Sequence, residues 1–334
     1  NVYTDNDSLK LFKQQWSSSS EMGVLLASIP EAQGGLGFGM EAAVSVIEES
    51  AKVLSPIPIF ETLSFGIIPA LLIKADDFLS EIAENSFAVT GAFQQWHTNQ
   101  LLLSLSKKGN ELKLNGSVSF VSAVPLSQFL VLPIVHESKE YLVKVDLAQK
   151  NIEKKLLPTF DLVRPYYTIE FKAVDVILLS EQAITADIKE KILLAQQILA
   201  VAEMNACAEY LLKLSVDYAK TRKQYGAAIG SFQAVSHMLA DCYLRVEQAK
   251  SLLRVALWKF TQVEDSSIKA YDKIVILAAK SFTSKYAVEI AEKTLQVHGG
   301  IGFTFEYQHH LYLRRIRTLA QLFGSQKQVN QQIA

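Results

Sequence analysis

Only two of the 334 residues are cysteine, Cys207 and Cys242, and their spacing suits neither a disulfide framework nor a zinc site. This scarcity excludes a cross-linked secreted scaffold and fits a reducing, cytosolic compartment, so a cytoplasmic location is expected. An excess of charge of either sign is also lacking. There are 33 Lys+Arg against 34 Asp+Glu, a net charge of -1, and no long run of like charge. Neither a nucleic acid nor an anionic membrane is indicated as a partner. Long apolar runs are missing too: Phe129 to Val135 falls well short of the ~18 residues needed to cross a bilayer. The polar opening NVYTDNDSLK is no signal peptide. The chain starts at Asn1 rather than Met, which leaves room for a missing N-terminal piece and a targeting segment within it. With 49% hydrophobic and 20% charged residues the composition is that of a folded globular protein, long enough for two or three packed units.

The apolar pattern changes twice along the chain. From about residue 8 to 84 it has helical spacing, as in Ala42, Ala43, Val46, Ile47, Ala51 and Leu54, and stops at the prolines of SPIP. Between about 86 and 180 it alternates, with Leu112 and Leu114 followed by Val118 and Phe120, and KGNE (108 to 111) and Asn115-Gly116 supply turn chemistry. Antiparallel sheet is expected there. From about Ile184 helical spacing returns. Ile192, Ala195, Leu199, Ala202, Ala206 and Leu212 share one face of a long helix. A second helix runs from about Phe232 to Phe260 and a third from about Ile268 to Val297. Long helices with short links predict an antiparallel bundle. The order helices, sheet, helices disfavours a doubly wound parallel sheet.

Three segments carry candidate chemistry. GGLGFG (34 to 39) has neither a preceding strand nor the spacing of a dinucleotide loop, so it reads as a turn between helices. In TRKQYGAAIGSFQAVSHMLAD (221 to 241), Arg222 leaves one helix, glycines turn the chain, and Phe232-Gln233 open the next helix. Such a corner suits a phosphate and a polar ring, or is simply a solvated loop. In LQVHGGIGFTFEYQHHLYLRRIRTLAQLFGS (295 to 325), Gln296 precedes Gly299-Gly300, where bare backbone lets a ligand approach, unless the pair is only a helix cap. His309-His310 point to different faces of a helix and do not form a metal site. Arg314, Arg315 and Arg317 suit either a phosphate or a solvated basic face.

Taken together these motifs resemble the acyl-CoA dehydrogenase family. RKQYG, then FQ and LAD, resembles the family's RxxFG…FQ…LAD signature, and QVHGGIGFTFEY resembles QxxGGxGxxxEYP. PEAQGGLGFG (30 to 39) with VIEES, and LNGSVSFVSAVPLSQFLVLP (114 to 133), are similar to two further elements in the same order. The resemblance implies an α+β multidomain fold: a helical N-terminal domain (1–84), a middle antiparallel β-barrel (85–182) and a C-terminal four-helix bundle (183–334). It implies FAD as cofactor and α,β-dehydrogenation of an acyl-CoA thioester, a reaction of fatty-acid and lipid metabolism. By the same resemblance Arg222, Phe232 and Gln233 contact the FAD pyrophosphate and adenosine part, and Gln296, Gly299 and Gly300 line the dinucleotide of a neighbouring subunit. Phe120 and Ser122 stand where the family places Trp and Thr of WIT against the flavin ring. By the same resemblance Ser325, in the C-terminal element, is a further cofactor-binding residue.

The family's carboxylate base is missing from both of its usual places, which here hold Phe323 and Gln196. Glu203, about two helical turns beyond Gln196 or ~10 Å along the axis, is too far for a simple exchange. VTGAFQQWHT (89 to 98) replaces the family's acidic-Pro-Ala-Gly-Ser-Asp loop. HLYLRR…LFG is similar to the smaller subunits of heteromeric acyl-CoA dehydrogenases, whose partner supplies the glutamate. The reading favoured is a subunit that completes a partner's FAD site, in a hetero-oligomer. A self-sufficient homo-oligomer with another base, or a non-enzymatic FAD- or CoA-binding scaffold, stands as the alternative.

Overall fold

The computed structural model describes residues 6–94, 96, 103–108, 111–263 and 266–334. The chain divides into two compact units, residues 1–46 with 56–196, and residues 47–55 with 197–334. Ten helices and nine strands are named here among the described residues. They are α1 (Asn6–Glu21), α2 (Gly39–Lys52), α3 (Ile59–Glu61), α4 (Ile68–Leu72), α5 (Asp76–Asn85), α6 (Ala186–Thr221), α7 (Gln233–Thr261), α8 (Ala270–His298), α9 (His309–Gln321) and α10 (Gln326–Ile333). The strands are β1 (Val89–Gly91), β2 (Leu103–Lys108), β3 (Glu111–Ser122), β4 (Phe129–His136), β5 (Lys139–Asp146), β6 (Ile152–Leu156), β7 (Tyr166–Leu178), β8 (Lys223–Gln224) and β9 (Ala227–Ala228).

In the first unit, α1 to α5 precede a sheet of order β1-β4-β5-β7-β3-β2, with β6 paired to β7. β1 runs parallel to β4 and the other pairs are antiparallel. Among the described residues β1 and β2 end the path without pairing to each other, so the expected barrel is not closed by hydrogen bonds and the sheet is mixed, although it curls so that β2 lies against β4 and β1 against β3. A barrel needs continuous, matched register. Here β1 has only three residues, and β7 gives most of its length to β3 and β6, leaving Ile177 and Leu178 for β5. Leu114, Val121, Leu132, Val143, Ile169 and Phe171 fill the core of the sheet.

Two details of β3 differ from the sequence expectation. Asn115-Gly116 is not a turn; β3 continues through it with a register shift, and Asn115 Oδ1 accepts from the Ala173 N–H at 2.8 Å. A second shift between Val118 and Val121 inverts the alternation, so Val121 is buried and Phe120, at φ 60°, is turned out. The expected KGNE turn centres on Gly109 and Asn110, outside the described residues. Between α3 and α4 the helix widens into a π segment, Thr62–Ile67, buried throughout. Thr62 there exchanges hydrogen bonds with Val89, and the Phe65 side chain packs so closely on Gly91 that a Cβ there would lie 2.4 Å from the Phe65 Cβ. GGLGFG forms a tight turn: a Cβ on Gly35 would lie 2.0 Å from the Ile29 carbonyl oxygen, leaving no room for a phosphate against that backbone.

The second unit holds the rest of α6 with α7 to α10. All six residues expected on one apolar face of α6 are buried, but so are Leu194, Ile198, Val201, Met204, Cys207 and Leu211. From Leu194 to Ala208 the helix is enclosed on every side, which single-face periodicity cannot reveal, whereas Lys213, Asp217 and Lys220 further along it are exposed. The end of α2 packs here as well, with the Tyr312 hydroxyl donating to the Lys52 carbonyl at 2.6 Å. α2 stops at Lys52, with Leu54 in the left-handed region just before the prolines, as SPIP predicted.

Candidate functional site

The corner after α6 is built from its backbone. The Arg222 N–H donates to the Tyr218 carbonyl at 2.8 Å, and the Arg222 carbonyl accepts from the Ile229 N–H at 2.9 Å. Between them the β8–β9 hairpin turns at Tyr225 and Gly226, both at positive φ. This leaves Arg222 exposed, and among the described residues no acid pairs with its guanidinium. Phe232 caps α7 without a side-chain hydrogen bond, Gln233 follows exposed, and the Phe232 ring meets exposed Tyr225 edge-on at 6.4 Å. A free cation beside the bare N-terminus of a long helix favours an anion.

The second corner ends α8. Gln296 is exposed, and Gly299 takes φ 59° and ψ -138°, a region open to glycine and few other residues. Where a Cβ would stand on Gly299 or Gly300 there is no heavy atom of the described residues within 4 Å, so their backbone is open to a ligand. The two corners meet through aromatic rings: Tyr218, one turn before Arg222, lies 4.6 Å from the ring of His298. Arg222, Phe232 and Gln233 thus share one end of the second unit with Gln296, Gly299 and Gly300.

Phe323 follows α9 at φ 60° and is only 5% exposed. Its carbonyl accepts from Gln197 Nε2 at 2.9 Å. Just before it, Lys280 donates to the Leu319 carbonyl at 2.7 Å and caps the C-terminal end of α9. Complete burial pushes the Lys280 ammonium down to about 7. Gln196, in the first unit, is fully buried and donates to the Ser64 carbonyl of the π segment at 3.0 Å. Glu203 is held by Arg315 at 2.6 Å, with both side chains almost fully buried. That pairing takes Arg315 out of the basic face the sequence suggested, and Arg317 is likewise bound to Glu292. Ser325 caps α10 in a capping box with Gln328, which engages its hydroxyl locally.

In the first unit Phe120 is 60% exposed, and its carbonyl accepts from Gln94 Nε2 at 3.0 Å. Ser122 is buried, and its carbonyl accepts from Thr90 Oγ1 at 2.7 Å. These bonds hold the strand end while leaving the Phe120 ring free to face a ligand. Residues 95, 97 and 98 of VTGAFQQWHT lie outside the described residues. His309 is buried while His310 is directed to the Phe305 carbonyl, and among the described residues no group of metal ligands forms. No described helix is long and apolar enough to cross a membrane.

Sequence reasoning missed three features. One is the Lys280 cap, and another is the tie of Thr294 to His298 and His309. The third is a cavity of about 680 Å³ between α6 and α7, lined by Tyr210, Leu212, Val216, Leu239, Tyr243 and Val246. The His298 of QVHGG was the one available signal, a polar residue at a helical position that turned out to be core.

Helices, a small sheet and long helices, in that order, define a class of α+β fold shared with several solved structures. Structures of this fold include butyryl-CoA dehydrogenase from Megasphaera elsdenii, with TM-score 0.83 and 20% identity over 98% of this chain and 89% of that one. The ChsE4-ChsE5 complex from Mycobacterium tuberculosis has the same TM-score and identity, over 96% and 86%. The C-terminal domain of acyl-CoA dehydrogenases matches residues 188–334 and their N-terminal domain residues 3–75. "Acyl-CoA dehydrogenase IpdE2" of Mycolicibacterium smegmatis is 27% identical over 304 residues, covering 91% of this chain and 81% of the relative. The chain belongs to the acyl-CoA dehydrogenase family.

FAD is the cofactor this membership implies. Within the second unit the residues present fit it: an exposed Arg222, which no described acid pairs, suits the pyrophosphate, and the open backbone of Gly299 and Gly300 allows close approach. Bound FAD supplies a hydride acceptor.

Proposed function

We propose that this chain is a subunit of an acyl-CoA dehydrogenase that completes a partner's FAD site and lacks a base of its own. The observation that carries the reading is that both base positions hold uncharged residues engaged in buried hydrogen bonding. Gln196 is bound to the Ser64 carbonyl, and the Phe323 backbone is bound to Gln197. A base must reach the α-carbon and accept its proton. Neither an amide nor a phenyl ring can do this, and Glu203 is committed to Arg315.

In this reading Arg222, Phe232, Gln233, Gln296, Gly299 and Gly300 bind the dinucleotide of a neighbouring subunit. Phe120 and Ser122 form a weakened flavin-ring contact in the chain's own first unit, and Ser325 positions the C-terminal element. The substrate class is an acyl-CoA thioester, whose α-proton a partner's glutamate would remove while bound FAD would accept the β-hydride. In this reading the helical, sheet and helical segments meet at about residues 84 and 182, within the two compact units. That a relative of the same fold is the ChsE4-ChsE5 complex supports a two-chain assembly.

The test is an absorbance spectrum and a sizing run on the purified chain, followed by anaerobic addition of a panel of acyl-CoAs. Weakly flavinated protein that does not bleach alone, and that gains flavin and activity with a glutamate-bearing homologue, is the expected result. One FAD per chain that bleaches with a thioester overturns it.

A further inference from the structure

The open glycine turn is fastened at both ends to one residue. His298, the last residue of α8, has its Nδ1 2.8 Å from the Thr294 carbonyl. His309, the first of α9, has its Nε2 2.9 Å from Thr294 Oγ1. Residues 299–308 lie between these two ties. A carbonyl oxygen only accepts, so His298 carries its proton on Nδ1. The Thr294 hydroxyl has the Ile290 carbonyl as an acceptor at 2.7 Å, an arrangement in which it accepts from His309 Nε2. The His298 tautomer is fixed by its partner.

The surroundings keep the His298 ring in place. Tyr218 of α6 lies 4.6 Å from it, Tyr307 of the turn 4.8 Å and His309 5.3 Å. Gly302 packs back onto it, where a Cβ would approach His298 Cβ at 3.1 Å. Burial lowers the affinity of His298 for a second proton, so the ring is held neutral.

His298 is 3% exposed, and among the described residues its Nε2 has no hydrogen-bond partner. An imidazole here therefore leaves a buried acceptor empty, a cost that a phenylalanine of similar shape would avoid. What the imidazole offers in return is the Nδ1–H donor to Thr294. That donor acts one residue before Gly299, where the backbone enters a conformation with φ 59° and ψ -138°.

We propose that His298 is a positioning residue of the half-site. Its neutral Nδ1–H tautomer ties the start of the Gly299-Gly300 turn to Thr294, His309 ties the end, and together they fix the open backbone that receives the dinucleotide. The inference rests on the half-site reading above and adds the residues that shape it. His298 touches no ligand and acts through the turn.

Three measurements on the full chain test it. Selective ¹⁵N-histidine spectra between pH 6 and 8 show His298 neutral and protonated at Nδ1; an Nε2–H tautomer or an imidazolium overturns the proposal. His298→Phe keeps the ring stacking and removes the donor, so amide exchange in the peptide spanning 299–303 speeds up about tenfold, as for loss of one buried hydrogen bond, while the middle of α8 is unchanged. His298→Asn restores a donor and recovers slow exchange. Unchanged exchange in His298→Phe, or no recovery in His298→Asn, overturns the proposal. FAD retained after desalting, with and without a glutamate-bearing homologue, follows the same order. Exchange that changes while FAD retention stays equal in all three proteins overturns the half-site reading and leaves the tie to Thr294 standing.

Discussion

Glu203 is the one acidic residue on α6 that the sequence offered as a substitute base, and its pairing with Arg315 gives a sharp prediction about what it does. The two side chains are 3% and 1% exposed and 2.6 Å apart. Breaking such a pair by removing one partner costs about 3–5 kcal/mol, because the other charge stays buried and uncompensated. The two halves are unequal. Arginine cannot shed its proton, so Glu203→Gln bears the full cost at any pH. Arg315→Met leaves a carboxyl that neutralises by taking up a proton, so its cost shrinks as the pH falls. Replacing both residues, Glu203→Leu with Arg315→Met, is close to neutral. With about 1–3 kcal/mol per molar urea as the slope, Glu203→Gln lowers the unfolding midpoint by roughly 1–5 M. The assay is urea unfolding followed by far-UV circular dichroism at pH 7.5 and 5.5. If Glu203→Gln kept the wild-type midpoint yet abolished flavin reduction by an acyl-CoA, Glu203 would be a working base and the reasoning would be refuted.

Lys280, held down to about 7 in the fold against 10.5 when free, binds fewer protons folded than unfolded between those values, so stability rises with pH across that window by at most about 1.4 kcal/mol per unit. Lys280→Met removes this slope; parallel melting curves of the two proteins from pH 7 to 9 check it, and equal slopes refute it. Burial pushes His309 down to about 3 from 6.5, so its contribution is intact above 6.5 and is lost as the pH falls from there toward 3. His309→Gln therefore melts with a flatter acid limb than the wild type. Gly299→Ala places a Cβ at φ 59° with no clash around it, costing about 1 kcal/mol of backbone strain while reducing FAD retention in the assembled enzyme. Equal FAD retention in that variant removes Gly299 from the site.

Much of the second unit was legible because helical periodicity and glycine punctuation are local. The second helix, read as Phe232 to Phe260, is Gln233–Thr261, and the third, read as Ile268 to Val297, is Ala270–His298. Backbone irregularity was not legible. Two register shifts in β3 turned Asn115-Gly116 from an expected hairpin turn into continuous strand, and carried Phe120 from an expected inner position to an exposed one. The π segment Thr62–Ile67 gave no signal, since its residues read equally well as α-helix. At the candidate site, the motifs located Arg222 and Gly299, whose features are short-range. The partners that set its chemistry lie far apart in sequence, as with Glu203 and Arg315 or Lys280 and the Leu319 carbonyl. No pattern in one chain announces such pairs before the fold brings them together.

The vacant base position can be probed by filling it. Phe323 is 5% exposed, its φ of 60° already suits the turn, and its carbonyl bond to Gln197 does not involve the side chain. Phe323→Glu therefore keeps the backbone geometry and exchanges an aromatic ring for a carboxylate. Removing a buried phenyl group costs about 3–5 kcal/mol when nothing refills the space, and the longer glutamate chain recovers part of it. In so dry a place the new carboxyl has its pKa raised, so its base form grows as the pH rises through that value. Deuterium wash-in at the α-carbon of an acyl-CoA reads base chemistry alone, without flavin reduction. Phe323→Glu is expected to catalyse exchange that rises with pH, by a factor of about 10² or more over Phe323→Gln, the range general-base catalysis supplies. The wild-type chain is expected to match Phe323→Gln. Wild-type exchange as fast as that of Phe323→Glu would mean that another group already takes the proton, and the chain would need no partner to supply it.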